Sequence, residues 1–273
     1  MDSLLVRSNS SLKRFCKIIA LISVLFLAYG FFIEPFWVAT KRVEVDSPIL
    51  SGFFRDNTVV FISDLHVSPW GLREKIVLKK LKAISPDYIF LGGDYVSWSG
   101  NYNQAFNFLK QLKAKKGIFG VLGEADYQNS RNSCKFCHRF GADDPELPVH
   151  MLRNQTVTLN SGVELFGIES FNHSFEQGRQ MLQSDSDLTR LILSHKQFEP
   201  DFLKSNEIIL CGDTHGAQIF LPNVIWQALF KSSKGGIRSG QSDKTIVTTG
   251  IGTSRVHFRL FCRPEIVLFH AKN

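Results

Sequence analysis

At 273 residues, 44% hydrophobic and 21% charged, the chain has the make-up of a globular protein with room for one large core or two small ones, which excludes a disordered chain. A formal charge of +7 suits nucleic acid or an anionic membrane surface. No dense basic run or RNA-type motif supports nucleic acid, and part of the excess sits in Arg7, Lys13, Arg14 and Lys17.

Those cations precede "IIALISVLFLAYGFFI", residues 18–33, which carries no charge. At about 1.5 Å per residue the run spans roughly 24 Å, short of a hydrocarbon core of about 30 Å. Continuing through Glu34 and Pro35 to Phe36, Trp37 and Val38 adds an interfacial aromatic belt. Residues 1–42 therefore read as a basic segment and a single membrane anchor. A cleaved signal peptide, with Ala28-Tyr29-Gly30 as a small-x-small site, is the first alternative, and a segment lying in the interface plane is the second. Only Lys41, Arg42 and Arg55 face the N-terminal cations from the far side, so the positive-inside bias is small.

From Val43 onward apolar runs alternate with amphipathic ones. "NTVVFISD" is a buried strand closed by an acid, and "LREKIVLKKLKAIS" places Ile76, Val77, Leu81 and Ile84 at helical spacing with lysines opposite. "PDYIFLGGD" is a second strand, "YNQAFNFLKQLKAK" a second helix and "GIFGVLGEAD" a third strand. This βαβαβ order implies a parallel sheet with covering helices. Residues 128–149 read as a surface loop or insertion. "QTVTLNSGVELFGIES" is a hairpin turning near Asn160-Ser161-Gly162, and "SFEQGRQMLQ" a helix. "LTRLILSH", "NEIILCGDTH", "KTIVTTGIGTS" and "RPEIVLFHA" follow, the first three as strands. Residues 43–273 form one α/β domain with a second sheet packed on the first.

Five cysteines are an odd number, with Cys16 beside the anchor and Cys211 and Cys262 in apolar stretches where free thiols are common. Cys134-Lys135-Phe136-Cys137-His138 matches a c-type haem attachment motif, but nothing else points to electron transfer. The pair reads instead as loop thiols, free, disulfide-linked or weakly metal-binding.

Five strand ends finish in groups able to bind metal: Asp64-Leu65-His66, Gly93-Asp94, Gly123-Glu124, Ser194-His195 and Gly212-Asp213-Thr214-His215. Ligand sites of open α/β folds gather at the carboxyl ends of parallel strands, so these groups can converge. Buried charges there need partners, and a metal cluster is an efficient one.

"FISDLHVS", "YIFLGGDYV", "VLGEADY", "LILSHKQFEPDF" and "ILCGDTHGAQIFLP" follow one another in the order found in calcineurin-like metallophosphoesterases, which the chain resembles from about Val43 to its end. "GIGTSRVHFRLFCRPEIVLF" is similar to the C-terminal signature of the membrane-anchored bacterial branch. The resemblance implies a four-layer αββα sandwich, a bacterial inner-membrane location and a two-metal site, commonly manganese or iron with zinc. It implies no protein partner. Position by position, it puts Asp64, His66 and His215 on the first metal, with Asp94 bridging both. His195, Glu124 and Asp213 take the second, and Asp126 supports the ligands from behind. Such a site clamps phosphoryl oxygens and activates a water.

Three positions depart from the family pattern. Glu124 stands where asparagine is usual, Asp213 where histidine is usual, and Ala125 where a histidine near the leaving group is usual. Both ligand changes introduce oxygen donors, which suits a retuned site and harder cations, Mn²⁺ first and Mg²⁺ next, with Fe or Zn less favoured. A metal-free scaffold is the non-enzymatic alternative. The missing histidine matters most for a poor alkoxide leaving group and least for a phosphoric anhydride, because a monophosphate departs at neutral pH without a proton. With the anchor, this points to an amphiphilic diphosphate. UDP-2,3-diacylglucosamine hydrolases, acting in lipid A biosynthesis, fit that description, and the substrate implied is a nucleotide-linked acylated sugar at the cytoplasmic face. A broader phosphodiesterase on envelope lipids or cyclic nucleotides is the alternative. Apolar residues 220–230 are placed to meet acyl chains or the bilayer, or simply to pack. Arg131, Lys231, Lys234, Arg238 and Arg255 are candidate phosphate contacts or ordinary surface cations.

Overall fold

A computed structural model describes residues 2–45, 47–67, 71–98, 102–128, 148–159, 162–170, 172–183, 189–198, 203–204, 206–220, 240–241 and 244–271. Helix α1 (Asp2–Phe32) ends in a 3-10 turn, Glu34–Phe36. Then come β1 (Ala39–Val45), α2 (Pro48–Asp56), β2 (Val59–Ile62), α3 (Leu72–Ile84), β3 (Tyr88–Leu91), α4 (Tyr102–Leu109), β4 (Gly117–Gly120) and α5 (Glu124–Gln128). The second half holds β5 (His150–Met151), β6 (Gln155–Thr158), β7 (Val163–Ile168), α6 (Asn172–Leu182), β8 (Thr189–Ser194), β9 (Glu207–Cys211), β10 (Gly240–Gln241), β11 (Thr245–Val247) and β12 (Glu265–Ala271).

The strands form two six-stranded sheets, ordered β1-β12-β2-β3-β4-β5 and β10-β11-β9-β8-β7-β6. Side chains alternate across a strand, so one short apolar run serves two interfaces. In β2, Val59 and Phe61 point between the sheets, against a core that includes Phe90, Leu191, Leu193 and Leu210. Val60 and Ile62 point outward and pack with Val77 and Leu81 of α3 and Phe106 and Leu109 of α4. Beyond the second sheet, Phe166, Ile192 and Ile209 meet Leu182 of α6. The result is the four-layer αββα arrangement. Each fully buried Phe or Leu of this kind contributes about 1.5–3 kcal/mol.

The βαβαβ reading holds: β2, β3 and β4 are parallel neighbours in continuous register, Val59 to Tyr88 and Tyr88 to Gly117. The hairpin also forms, with β6 antiparallel to β7, although its turn residues Asn160 and Ser161 lie outside the described residues. One element goes beyond the sequence reading, and two expectations need correction. Helix α2 was not anticipated; Leu50, Phe53 and Phe54 bury its inner side. The second amphipathic helix stops at Leu109. The stretch 244–254 keeps only Thr245–Val247 as strand, because its remaining backbone bonds to the loop after β2: Ile251 N donates to Ser63 O and Gly252 N to Asp64 O.

Helix α1 is apolar and exposed along much of its length, from Leu12 through Phe32. Its segment Leu12–Phe36 has a mean hydropathy of 2.3 and is long and apolar enough to cross a membrane, judged by length and composition. Glu34 does not belong to that exposed surface. It is buried, and its carboxylate accepts a hydrogen bond from Phe261 N at 2.7 Å.

Candidate metal centre

All seven candidate ligands sit just past strand ends: Asp64 and His66 after β2, Asp94 after β3, Glu124 after β4, His195 after β8, Asp213 and His215 after β9. The backbone pairing runs on beyond the strands, with Asp64 N donating to Gly93 O and His66 N to Asp94 O, both at 2.9 Å. Then the chain turns sharply. Asp64, His66, Asp94, Asp213 and His215 all adopt positive φ, between 36° and 66°. That region is uncommon for a residue with a side chain, although Asp and His enter it more readily than most. Gly123 has a different role. A Cβ there would lie 2.1 Å from Asp94 Oδ1, so only glycine lets the β4 end approach the β3 end.

The turns bring the side chains into three overlapping trios whose ligand atoms lie within 4.8 Å of one another: Asp64–His66–His215, Asp64–Asp94–His195 and Glu124–His195–Asp213. Asp94 stands between, Oδ2 at 3.4 Å from His66 Nε2 and Oδ1 at 3.5 Å from His195 Nε2. His66 and His215 face each other Nε2 to Nε2 at 3.1 Å. His66 Nδ1 contacts Val96 O at 3.0 Å and His195 Nδ1 contacts Gly92 O at 2.7 Å. As donors to those carbonyls, the Nδ1 atoms leave each Nε2 lone pair turned toward the carboxylates.

Burial pushes the Asp64 carboxyl up to about 7, with the neighbouring Asp94 and Asp213 charges adding to the rise. It does the same to Asp94, also to about 7. Burial lowers His66 to about 4 and holds His215 well below its usual range. His195 goes the other way: burial opposes its charge, but Asp94, Glu124, Asp64 and Asp213 together raise it well above normal.

Asp126 is fully buried and ties the β3 and β4 ends together. Its Oδ1 accepts from Tyr95 N and Val96 N, and its Oδ2 from Asp94 N and Gly123 N, at 2.8–3.1 Å. Ala125 N donates to Asp94 Oδ1 at 2.8 Å, and the Ala125 methyl is itself fully buried. The side chain at this position is shielded from solvent and offers no proton donor.

Three supports were not visible in the sequence. Lys196 Nζ lies 2.7 Å from Glu124 Oε1, so one of the two added anions already has a cation beside it. Burial works against the Glu124 charge, yet His195 and Lys196 hold its carboxyl down at about 2. Behind the β2 loop, buried Arg73 donates to Leu65 O and His66 O. Arg259, also fully buried, donates to Thr249 O, Gly250 O, Gly252 O and Cys262 O, fixing the loop whose Gly252 N holds Asp64 O. Of the other cations singled out, Arg255 lies 5.4 Å over the Trp98 ring, which stacks on His66 at the edge of the site. Arg131, Lys231, Lys234, Arg238, residues 221–230 and the Cys134/Cys137 pair lie outside the described residues.

The family profile for calcineurin-like phosphoesterases matches residues 58–217, and the chain belongs to that family. Among its relatives are the UDP-2,3-diacylglucosamine pyrophosphatase LpxG of Chlamydia muridarum, 25% identical over 70% of this chain and 73% of the relative. The phosphodiesterase YaeI of Escherichia coli is 27% identical over 88% of this chain and 90% of its own length. An uncharacterized metallophosphoesterase of Bacillus subtilis, YkuE, is 26% identical over 90% of this chain and 89% of its own. The chain is a metal-dependent hydrolase of phosphoesters or phosphoric anhydrides.

Proposed function

We propose that this hydrolase cleaves the diphosphate of UDP-2,3-diacylglucosamine, releasing UMP and 2,3-diacylglucosamine 1-phosphate, from a single anchor in the bacterial inner membrane. The observation that carries the two-metal reading is the convergence of seven donors in three overlapping trios. The donors fit divalent cations. Among the described residues, buried Asp64 Oδ2 lies inside the cluster with no hydrogen-bonding partner, and His195 Nε2 faces the Glu124 carboxylate at 3.0 Å. Asp64, His66 and His215 would hold one cation and Glu124, His195 and Asp213 the other, with Asp94 shared. The oxygen-rich second set favours Mn²⁺. Bound there, the cations would supply Lewis acidity to a phosphoryl group and a nucleophile drawn from water.

The chain's own residues do the rest. His66 and His195 keep Nε2 aimed inward through their Nδ1 contacts, and Asp126 holds the Asp94 turn against β4. Lys196 offsets part of the negative charge that a diphosphate would meet at Glu124. Ala125 puts no acid near a departing group, so the best substrate is one whose leaving group needs no proton, and a nucleoside monophosphate is such a group. The pyrophosphatase relative supports the anhydride, the exposed α1 supports the anchor, and a UDP-linked substrate supports a cytoplasmic domain over residues 43–273.

A broader phosphodiesterase is the second reading, favoured by the fuller coverage of the Escherichia coli relative. One assay separates them. The reconstituted protein with Mn²⁺ is offered UDP-2,3-diacylglucosamine, a nitrophenyl phosphodiester and a nitrophenyl monoester, beside an Asp64→Ala/His66→Ala control. UMP release that the control lacks, at least tenfold faster than diester cleavage, is the expected result. Equal rates on all three substrates would end the anhydride argument.

A further inference from the structure

Helix α1 does not leave the domain as a free stalk. Its last turns lie along the loop 256–261. The Phe26 and Tyr29 rings are 6.0 and 6.5 Å from the Phe261 ring, and the Phe31 ring is 4.9 Å from that of Phe258. Arg259 N donates to Gly30 O at 3.0 Å, and a Cβ on Gly30 would fall 2.2 Å from the Phe258 ring. Glu34 closes the joint from below by accepting from Phe261 N.

The lengths decide how deep this joint sits. The uncharged run 18–33 covers roughly 24 Å of a core of about 30 Å, a deficit of about four helical residues. If Lys17 stays at one interface, the whole run through Ile33 lies in hydrocarbon. Phe26 is then roughly 10 Å of helix below the end of that run, and Phe261, packed beside it, goes in with it. Phe261 is built for such a place: it is 59% exposed and held at φ 55°, an outlier for a bulky side chain. Val256 is 57% exposed. Farther along, Trp37 is 51% exposed with the Arg263 guanidinium 4.2 Å over its ring, an aromatic and a cation suited to headgroup depth.

We propose that loop 256–261 is inserted in the bilayer beside the last turns of α1, adding apolar depth beyond the uncharged run 18–33 and seating the metal-bearing turns at the lipid surface. The occupant of this exposed apolar surface is lipid acyl chain. The proposal rests on the anchor reading and not on the substrate. The link to the centre is short. Gln218, three residues past His215, donates its Nε2 to Val256 O and Phe258 O and accepts from Ser254 N. Leu260 N donates to Gln218 O, and Phe220 N to Leu260 O. A loop seated in lipid thereby fixes the His215 turn within reach of a headgroup.

The test uses the full chain reconstituted in phosphatidylcholine vesicles. Phe261→Trp adds emission over wild type. Quenching of at least half of that increment by bromine on the acyl chains, with little effect of aqueous iodide, is expected. Quenching by iodide alone, in protein that floats with the vesicles, overturns insertion. Protein that does not float overturns the anchor reading and the proposal with it. Phe261→Asp should leave hydrolysis of a soluble nitrophenyl phosphodiester within twofold of wild type while lowering cleavage of a vesicle-borne acylated diphosphate at least tenfold. An equal fall on both substrates, or none on either, overturns the seating role. Should wild type not cleave the diphosphate at all, the substrate reading fails and the fluorescence result still decides insertion.

Discussion

Removing the Arg259 guanidinium tests how the centre is held from behind. Five contacts reach four buried carbonyls: Nε to Gly252 O at 3.1 Å, Nη1 to Cys262 O at 3.0 Å, and Nη2, shared among three acceptors, to Thr249, Gly250 and Gly252 O at 2.8, 3.3 and 2.5 Å. Hydrogen bonds to a charged donor contribute about 1.5–3 kcal/mol each. Burial opposes this gain, and it lowers the guanidinium to about 10. Arg259→Met removes the charge and leaves four buried carbonyls without this donor; at about 1–3 kcal/mol for each acceptor left unmet, two or three of them put the loss at about 3–5 kcal/mol. Against a total stability of about 5–15 kcal/mol, the variant folds but weakly. With a urea slope of about 2–3 kcal/mol/M, the midpoint should fall by roughly 1–2.5 M in metal-stripped protein. Arg259→Lys should recover less than half of the loss, because an ammonium cannot span four carbonyls. A midpoint for Arg259→Met within about 0.3 M of wild type, equivalent to under ~1 kcal/mol, would refute the account.

Lys196→Met removes the cation competing for Glu124, so Mn²⁺ should bind the weaker of its two sites about 3–10-fold tighter by calorimetry; unchanged or weaker binding counts against the pairing. Ala125→His forces a ring into a filled position and should cost about 1–3 kcal/mol in urea unfolding; a neutral result would mean the position is open after all. Asp64 and Asp94, both raised to about 7, hold protons that a metal must displace, so half-saturating Mn²⁺ should rise as pH falls from 8 to 6. A flat titration contradicts this. In metal-stripped protein the sign follows from the same shifts. The folded carboxyls titrate above their unfolded value of 3.8, so their contribution to stability is present at low pH and is lost as pH rises through about 7.

The convergence of the candidate donors was legible because each closes a strand that is readable by itself: "FISD", "FLGGD" and "ILCGD" pair an apolar run with a terminal acid, and the fold brings those ends together. The sandwich was legible for the same reason, since Val59 to Ile62 and Tyr88 to Leu91 are apolar on both faces. Helix α2 was hidden because the four apolar residues around Gly52, Ile49, Leu50, Phe53 and Phe54, make too short a pattern to register as a period. The stretch after Val247 misled through its β-branched residues, whose backbone is diverted by bonds to Ser63 and Asp64 that no local pattern encodes. Arg73 and Arg259 look like surface cations in sequence, and only tertiary packing reveals them as buried. The Lys196–Glu124 pair requires the two sheets to meet before it exists.

The left-handed turns at Asp64, His66, Asp94, Asp213 and His215 give the site a recognisable path of decay. Each such turn costs an ordinary residue roughly 1–2 kcal/mol, a cost glycine escapes. A lineage released from holding metal would therefore gain stability by drifting to glycine at those five positions. None of the five is glycine here, so the chain keeps a side chain able to donate to a metal at each of these left-handed turns.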